Sequence, residues 1–129
     1  MIKDNCQDYI NYRFKRALES FEDVLILSEK ERLNAAINRL YYAGFYAVTA
    51  LLLKKNIETR SHDGVRTQFG LQFVKTGIID KKYGKLFSKL FDYRQVGDYG
   101  DLYDYNENII SPLIADTKAL IDEIEKHLH

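Results

Sequence analysis

Arg94 is a charged residue on an apolar stripe. It stands four residues beyond Leu90 and seven beyond Phe87, on the face that Tyr83, Leu86, Phe87, Leu90 and Phe91 trace along a helix. A charge there must be paired or must lie at a seam or cleft, because burying it alone is costly. Asp98, four residues on, is the local candidate partner. The order Arg then Asp is the weaker one for helix support, which points to some other purpose for the pair. It reads either as an interhelical or dimer-interface salt bridge or as part of a ligand or catalytic site, since a guanidinium can hold a phosphate.

His62 is the second residue with chemistry to offer. It lies in Arg60-Ser61-His62-Asp63-Gly64, at the entry to a helix. Helix entries attract anions through their free N–H groups, and a neutral imidazole does general acid–base work. The competing reading is a histidine that packs or caps locally. His127 and His129 read as a solvated tail rather than a metal pair. Tyr41, Tyr42 and Tyr46 read as core residues with one hydroxyl bonded. Tyr93, Tyr99, Tyr103 and Tyr105 gather around Arg94 and the segment Gly97 to Asn108. Rings beside an arginine can stack bases, but Asp98, Asp101, Asp104 and Glu107 repel phosphates and suit a cation or a basic partner. No calcium-loop pattern, P-loop, GxGxxG, HExxH or GxSxG occurs.

These residues need a scaffold, and the composition describes one. The chain has 129 residues, 46% hydrophobic and 29% charged, which suits one soluble globular domain spanning residues 1–129. Nineteen Lys and Arg balance nineteen Asp and Glu, so no global excess of cation marks a polyanion binder. With Cys6 as the only cysteine there is no intrachain disulfide and no Cys-based zinc site. The start, MIKDNCQDY, has no apolar core of signal type, and a cytoplasmic location is expected, with no cofactor and no metal.

Apolar spacing is helical almost throughout. Phe14, Leu18, Phe21 and Leu25 form the face of a first helix ending near Leu27. Ser28 to Glu31 reads as a capping box that starts a second. The run Leu40 to Leu53 is apolar or aromatic on every side and too short to cross a bilayer, as befits a central helix. Its Gly44, beside Ala43 and Ala47, suggests close approach of a neighbour. A polar break covers Lys54 to Gly64. A third helix follows over Gly64 to Lys75, stopped by Gly77. Asp80 caps a fourth, Gly97 to Asn108 is a loop, and Ser111-Pro112 starts a fifth. The expected fold is an all-α antiparallel bundle of about five helices.

Three separated motifs add a resemblance. Arg39-Leu40-Tyr41-Tyr42-Ala43-Gly44-Phe45, then Ser61-His62-Asp63-Gly64-Val65, then Arg94 with Asp98-Tyr99, resemble the HEPN superfamily. More narrowly they resemble its small stand-alone prokaryotic branch, with R-x-Y-Y-A-x-F, S-H-x-G-V and R-x-x-x-D-Y signatures. The match in order and spacing covers residues 38–99. The resemblance implies a helical bundle that forms homodimers, here through the helix bearing Arg94. It also implies a toxin paired with a small nucleotidyltransferase antitoxin. Active members are metal-independent ribonucleases with an arginine and a histidine separated by four to six intervening residues. Arg94 matches that arginine, but Asp98-Tyr99 stands where the histidine belongs. The usual base for attack by a 2′-hydroxyl is then absent, and a tyrosine, with a pKa of about 10, is a poor one at neutral pH. Members inactivated by nucleotidylation carry a tyrosine two residues past the histidine; Asp101 occupies that position.

The leading expectation is a nucleotide- or RNA-associated, toxin-like HEPN protein. Arg94, Asp98 and Tyr99 are the catalytic candidates, and His62, Arg94 and Tyr99 the ligand-binding ones. The alternatives are an active ribonuclease using Arg94 with Tyr99 or His62, and a non-catalytic dimeric adaptor.

Overall fold

The computed structural model describes residues 2–99 and 104–129, with side chains for residues 6–96 and 104–129. The five helices are α1 (Ile2–Glu29), α2 (Leu33–Lys54), α3 (His62–Phe69), α4 (Lys81–Tyr99) and α5 (Glu107–Glu125). A π-helical turn, Gly70–Val74, continues α3. No strand occurs among the described residues, and none of their helices is long and apolar enough to cross a membrane.

α2 is the hub, touching α1, α3, α4 and α5. Its all-round apolar sequence follows from that, since every side of it faces a neighbour. Ile37, Leu40, Tyr41, Leu51 and Leu52 are among the largest fully buried side chains, and Ala36, Ala43, Ala47 and Ala50 are sealed beside them. The partners contribute Phe69 from α3, Phe87 and Leu90 from α4, and Leu120 and Ile121 from α5.

The face of α1 differs from the expected one. Ile10, Phe14, Ala17, Phe21 and Val24 are buried, whereas Leu18 and Leu25 are 43% and 48% exposed. The buried residues step by four, three, four and three along the side of α1 that lies against α2. The turn between these helices also differs from the expected capping box. α2 begins at Leu33 with no side-chain cap, and the Ser28 hydroxyl is buried and makes no hydrogen bond among the described residues. A Schellman reversal ends α1 instead. Arg32 N–H donates to the Leu27 carbonyl and Glu31 N–H to that of Ser28, with Glu31 left-handed at φ 59°.

The other boundaries are decided by which cap wins. Ser61 accepts from the Gly64 amide at 2.8 Å, so α3 starts at His62 rather than Gly64. Asp80 accepts from Lys82 N–H, as expected. Asn106 caps α5 through Ile109 N–H, which moves the start ahead of Ser111 and leaves Pro112 inside the helix. Pro112 is tolerated in the second turn, where only one carbonyl loses its partner. The expected loop is correspondingly shorter, because α4 runs on to Tyr99 and α5 begins at Glu107. Gly77, at φ 81°, is the expected stop after the third helical segment. The carboxyl terminus is not a free tail: Leu128 is buried and His127 meets Glu123 at 3.3 Å.

Two interior positions are informative. A Cβ on Gly44 would lie 3.5 Å from Leu90 Cδ1 and 3.6 Å from Phe87, which is ordinary contact. The packing there accommodates an alanine, so the close approach expected at Gly44 does not demand a glycine. Thr117 is fully buried, and its hydroxyl has no hydrogen-bond partner among the described residues. Thr117→Val removes an orphaned polar atom with little change in shape. It is expected to stabilise the bundle by about 1–2 kcal/mol, read as a higher denaturant midpoint with unchanged slope.

Candidate functional site

Three elements meet at Tyr41. This residue is fully buried in the middle of α2. Its hydroxyl lies 2.7 Å from Nδ1 of His62, the first residue of α3. Its ring is 5.4 Å from the guanidinium carbon of Arg94, which comes from the far end of α4. The same guanidinium carbon lies 5.4 Å from the ring of Tyr42. Phe45, one turn along α2, packs on the His62 ring at 4.7 Å. Arg39 covers Tyr42 at 5.1 Å and is held from behind by the buried Ser20 hydroxyl at 3.1 Å. The R-x-Y-Y-A-x-F segment thus sets one arginine and three aromatic rings around a point that His62 and Arg94 reach from other helices.

The entry to α3 is built to place His62. α2 ends in a second Schellman reversal, with Asn56 left-handed at φ 59° and Ile57 N–H reaching back to the Leu52 carbonyl. The chain then turns into the Ser61 cap. A Cβ on Gly64 would stand 2.2 Å from Thr59 Oγ1 and 2.7 Å from Ser61 Oγ, so a larger residue there would have to displace both hydroxyls. Asp63 pairs with Arg66 at 3.1 Å, and Arg66 lies over the Phe91 ring at 4.4 Å.

Electrostatics sets the protonation states. Burial pushes the Tyr41 hydroxyl far above the ordinary range, outweighing the pull of Arg94, so it keeps its proton. Its partner is Nδ1 of His62, and the direction of that bond follows the His62 tautomer. With the Tyr41 proton donated to Nδ1, the proton of a neutral His62 sits on Nε2. His62 itself is held below the ordinary histidine range, first by burial and then by the Arg94 cation, with Asp63 opposing. A depressed pKa in the folded state means that the unfolded chain takes up a proton first on acidification. The stability from neutral His62 is therefore whole above about pH 6.5 and falls away as pH drops through the lower folded value. His62→Gln is expected to remove this part of the acid dependence, measured as denaturant midpoints against pH.

The structure brings together two of the expected site residues, Arg94 and His62. The side chains of Asp98 and Tyr99 lie outside the described residues, as do Asp101 and Tyr103. Of the late tyrosines expected around Arg94, Tyr93 and Tyr105 have described side chains. Tyr105 is buried, donates its hydroxyl to the Tyr93 carbonyl, and is tied to α2 through Asn34 Oδ1 at 2.9 Å. Tyr41 and Tyr42, from α2, lie at the guanidinium. The sequence reading assigned them to the core; their adjacency to Arg39 in one motif was the available signal. No cluster of metal-ligating side chains occurs among the described residues.

An all-α bundle with an arginine and a histidine converging on a tyrosine pair is the setting in which comparison with known proteins becomes informative. The family model of the HEPN domain matches residues 10–127, and the chain belongs to that family. A UPF0332 protein of Thermotoga maritima is 42% identical over 117 residues, 91% of this chain and 89% of its own length. In Methanocaldococcus jannaschii, the protein named "Putative toxin MJ0605" is 32% identical over 99% of this chain and 95% of its own length. "Putative toxin MJ0142" of the same organism is 31% identical over 90% of this chain and 84% of its own.

Proposed function

We propose that the chain is the toxin-like member of a two-protein pair and that it binds RNA or a nucleotide by a phosphate held between Arg94 and His62. The observation that carries this reading is the convergence of those two side chains on Tyr41. The guanidinium offers a planar fork of donors suited to phosphate, and a neutral His62 with its proton on Nε2 adds a further donor. The names of the two M. jannaschii relatives support the toxin-like role. A nucleotidyltransferase-type antitoxin and a homodimer through α4 are the partners this reading takes from the HEPN resemblance.

Binding is favoured over cutting for a specific reason. A base that activates a 2′-hydroxyl needs a free lone pair, and in the tautomer in which Tyr41 donates to Nδ1 the only one on His62 is taken. A second reading, a metal-independent ribonuclease using Arg94 with His62 or Tyr99, is favoured by the closeness of Arg94 to His62. In that enzyme Tyr41 must release Nδ1 when substrate binds.

The test is tRNA-sized RNA with purified protein in EDTA, wild type beside Arg94→Ala and His62→Ala. Retention of intact RNA by wild type, lost in Arg94→Ala, is the expected result. Cleavage by wild type that both variants lose establishes the ribonuclease instead. Neither binding nor cleavage leaves the dimeric adaptor, whose mass light scattering then measures with and without Arg94.

A further inference from the structure

α4 packs against α3 and its π turn along a groove of about 640 Å³. Lys81, Lys85 and Lys89 line one wall, at four-residue steps on a single stripe of α4. Arg66 closes one end. Asp92 is the one carboxylate in the lining, and it lies 4.0 Å from Arg66. All three lysines are exposed, and none meets a carboxylate among the described residues. In a chain whose net charge is zero, this is a local concentration of unmatched cation.

The floor is as distinctive as the wall. Gly84 faces Val74, and a Cβ there would sit 3.1 Å from a Val74 methyl, so α4 comes down close on the π turn. Gly70 opens that turn, and a Cβ on it would meet nothing within 4 Å. A π turn inserts a residue into the helix and often marks a functional site. Here it accompanies an open, side-chain-free stretch beside the lysine row.

We infer that this groove is a track for the phosphodiester backbone of single-stranded RNA, running to the Arg94–His62 site. The inference rests on RNA being the ligand of that site. Four residues of helix advance about 6 Å, so the three ammonium groups repeat at a regular step, which suits a polymer of evenly spaced charge. The lysines form a single row on one wall, which offers contacts to one backbone strand rather than to two. The groove and the site share a border: Arg66 is one turn beyond His62 on α3 and rests on Phe91, whose ring packs edge-on against Tyr41 at 5.9 Å.

The experiment is fluorescence anisotropy of a short, labelled, unstructured oligoribonucleotide, titrated with full-length protein at several salt concentrations. Four proteins are compared: wild type, the triple variant Lys81→Ala/Lys85→Ala/Lys89→Ala, Gly70→Leu and Arg94→Ala. Alanine is the best helix former, and far-UV circular dichroism confirms that the variants fold. Each lost phosphate contact removes about 0.7 from the slope of log affinity against log salt. The triple variant is therefore expected to lose about 2 in slope, with affinity about tenfold weaker at low salt. Gly70→Leu fills the floor without changing charge, and is expected to weaken binding with the slope retained. An unchanged slope in the triple variant, with binding lost in Arg94→Ala, overturns the track and leaves the site standing. A flattened slope in the triple variant, with full affinity in Arg94→Ala, supports the track and overturns the site. No binding by wild type overturns both. Equal affinity for a duplex RNA overturns the single-strand assignment, and displacement by poly-glutamate as effective as by RNA shows an acidic protein as the occupant instead.

Discussion

Arg94→Ala is expected to weaken RNA or nucleotide binding by about 10- to 100-fold while leaving the bundle folded. A hydrogen bond to a charged group contributes about 1.5–3 kcal/mol, and each 1.4 kcal/mol is a factor of about ten in affinity. The cost to the fold is smaller. The guanidinium is half-buried and lies against two tyrosine rings, contacts worth about 0.5–1 kcal/mol each at such a site. The same substitution has a spectroscopic readout independent of any ligand. Arg94 helps to hold His62 below the ordinary histidine range, so its removal raises the His62 pKa. Burial, the larger cause, keeps it from a full return. Arg94→Lys separates the two effects: it retains the charge that acts on His62 and loses the planar fork that grips phosphate. Proton NMR titration of His62 beside a binding curve for each variant checks both. Loss of His62 coupling with binding intact in Arg94→Ala would place the ligand elsewhere.

Tyr41→Ala is expected to carry the largest stability cost of any substitution at the site, about 3–5 kcal/mol. The ring is fully buried and has Tyr42, Phe45, Phe87 and Phe91 within 6 Å. Its removal opens a cavity between α2 and α4 that helices held by so many other contacts cannot close. A domain of this size has about 5–15 kcal/mol in total, so the variant melts early or does not accumulate. Tyr41→Phe keeps the ring and removes only the hydroxyl. It is expected to cost about 1–2 kcal/mol and to free Nδ1 of His62, visible as a changed tautomer in the ring nitrogen shifts. The pair of variants separates Tyr41 as a core residue from Tyr41 as the group that orients His62. If Tyr41→Phe gains RNA cleavage, the hydroxyl was holding the base back.

The HEPN membership, the helix count and the central place of α2 were legible in the sequence. Leu40 to Leu53 is apolar on all sides, and only a helix covered on all sides can carry such a run. The Ser61-His62-Asp63-Gly64 entry was legible as a motif, with Ser61 capping the Gly64 amide and the Thr59 and Ser61 hydroxyls crowding the glycine. Boundaries were read less well where two caps competed. Ser28 and Ser111 had the right chemistry for N-caps, but Glu31 accepted a left-handed turn and Asn106 reached an amide first. The inward face of α1 follows Ile10, Phe14, Ala17, Phe21 and Val24, at steps of four, three, four and three, and leaves Leu18 and Leu25 outside it.

The candidate site divides the same way. Sequence alone determined that Arg94 lies on the core side of its helix and that His62 stands at a helix entry, because periodicity and capping are local properties. Only the tertiary structure decided that the two meet, and that they meet on Tyr41. Their approach depends on how α3 and α4 lie against α2, which packing of side chains distant in sequence sets. The protonation of His62 was decided there as well, since burial and the field of Arg94 exist only once the helices have come together.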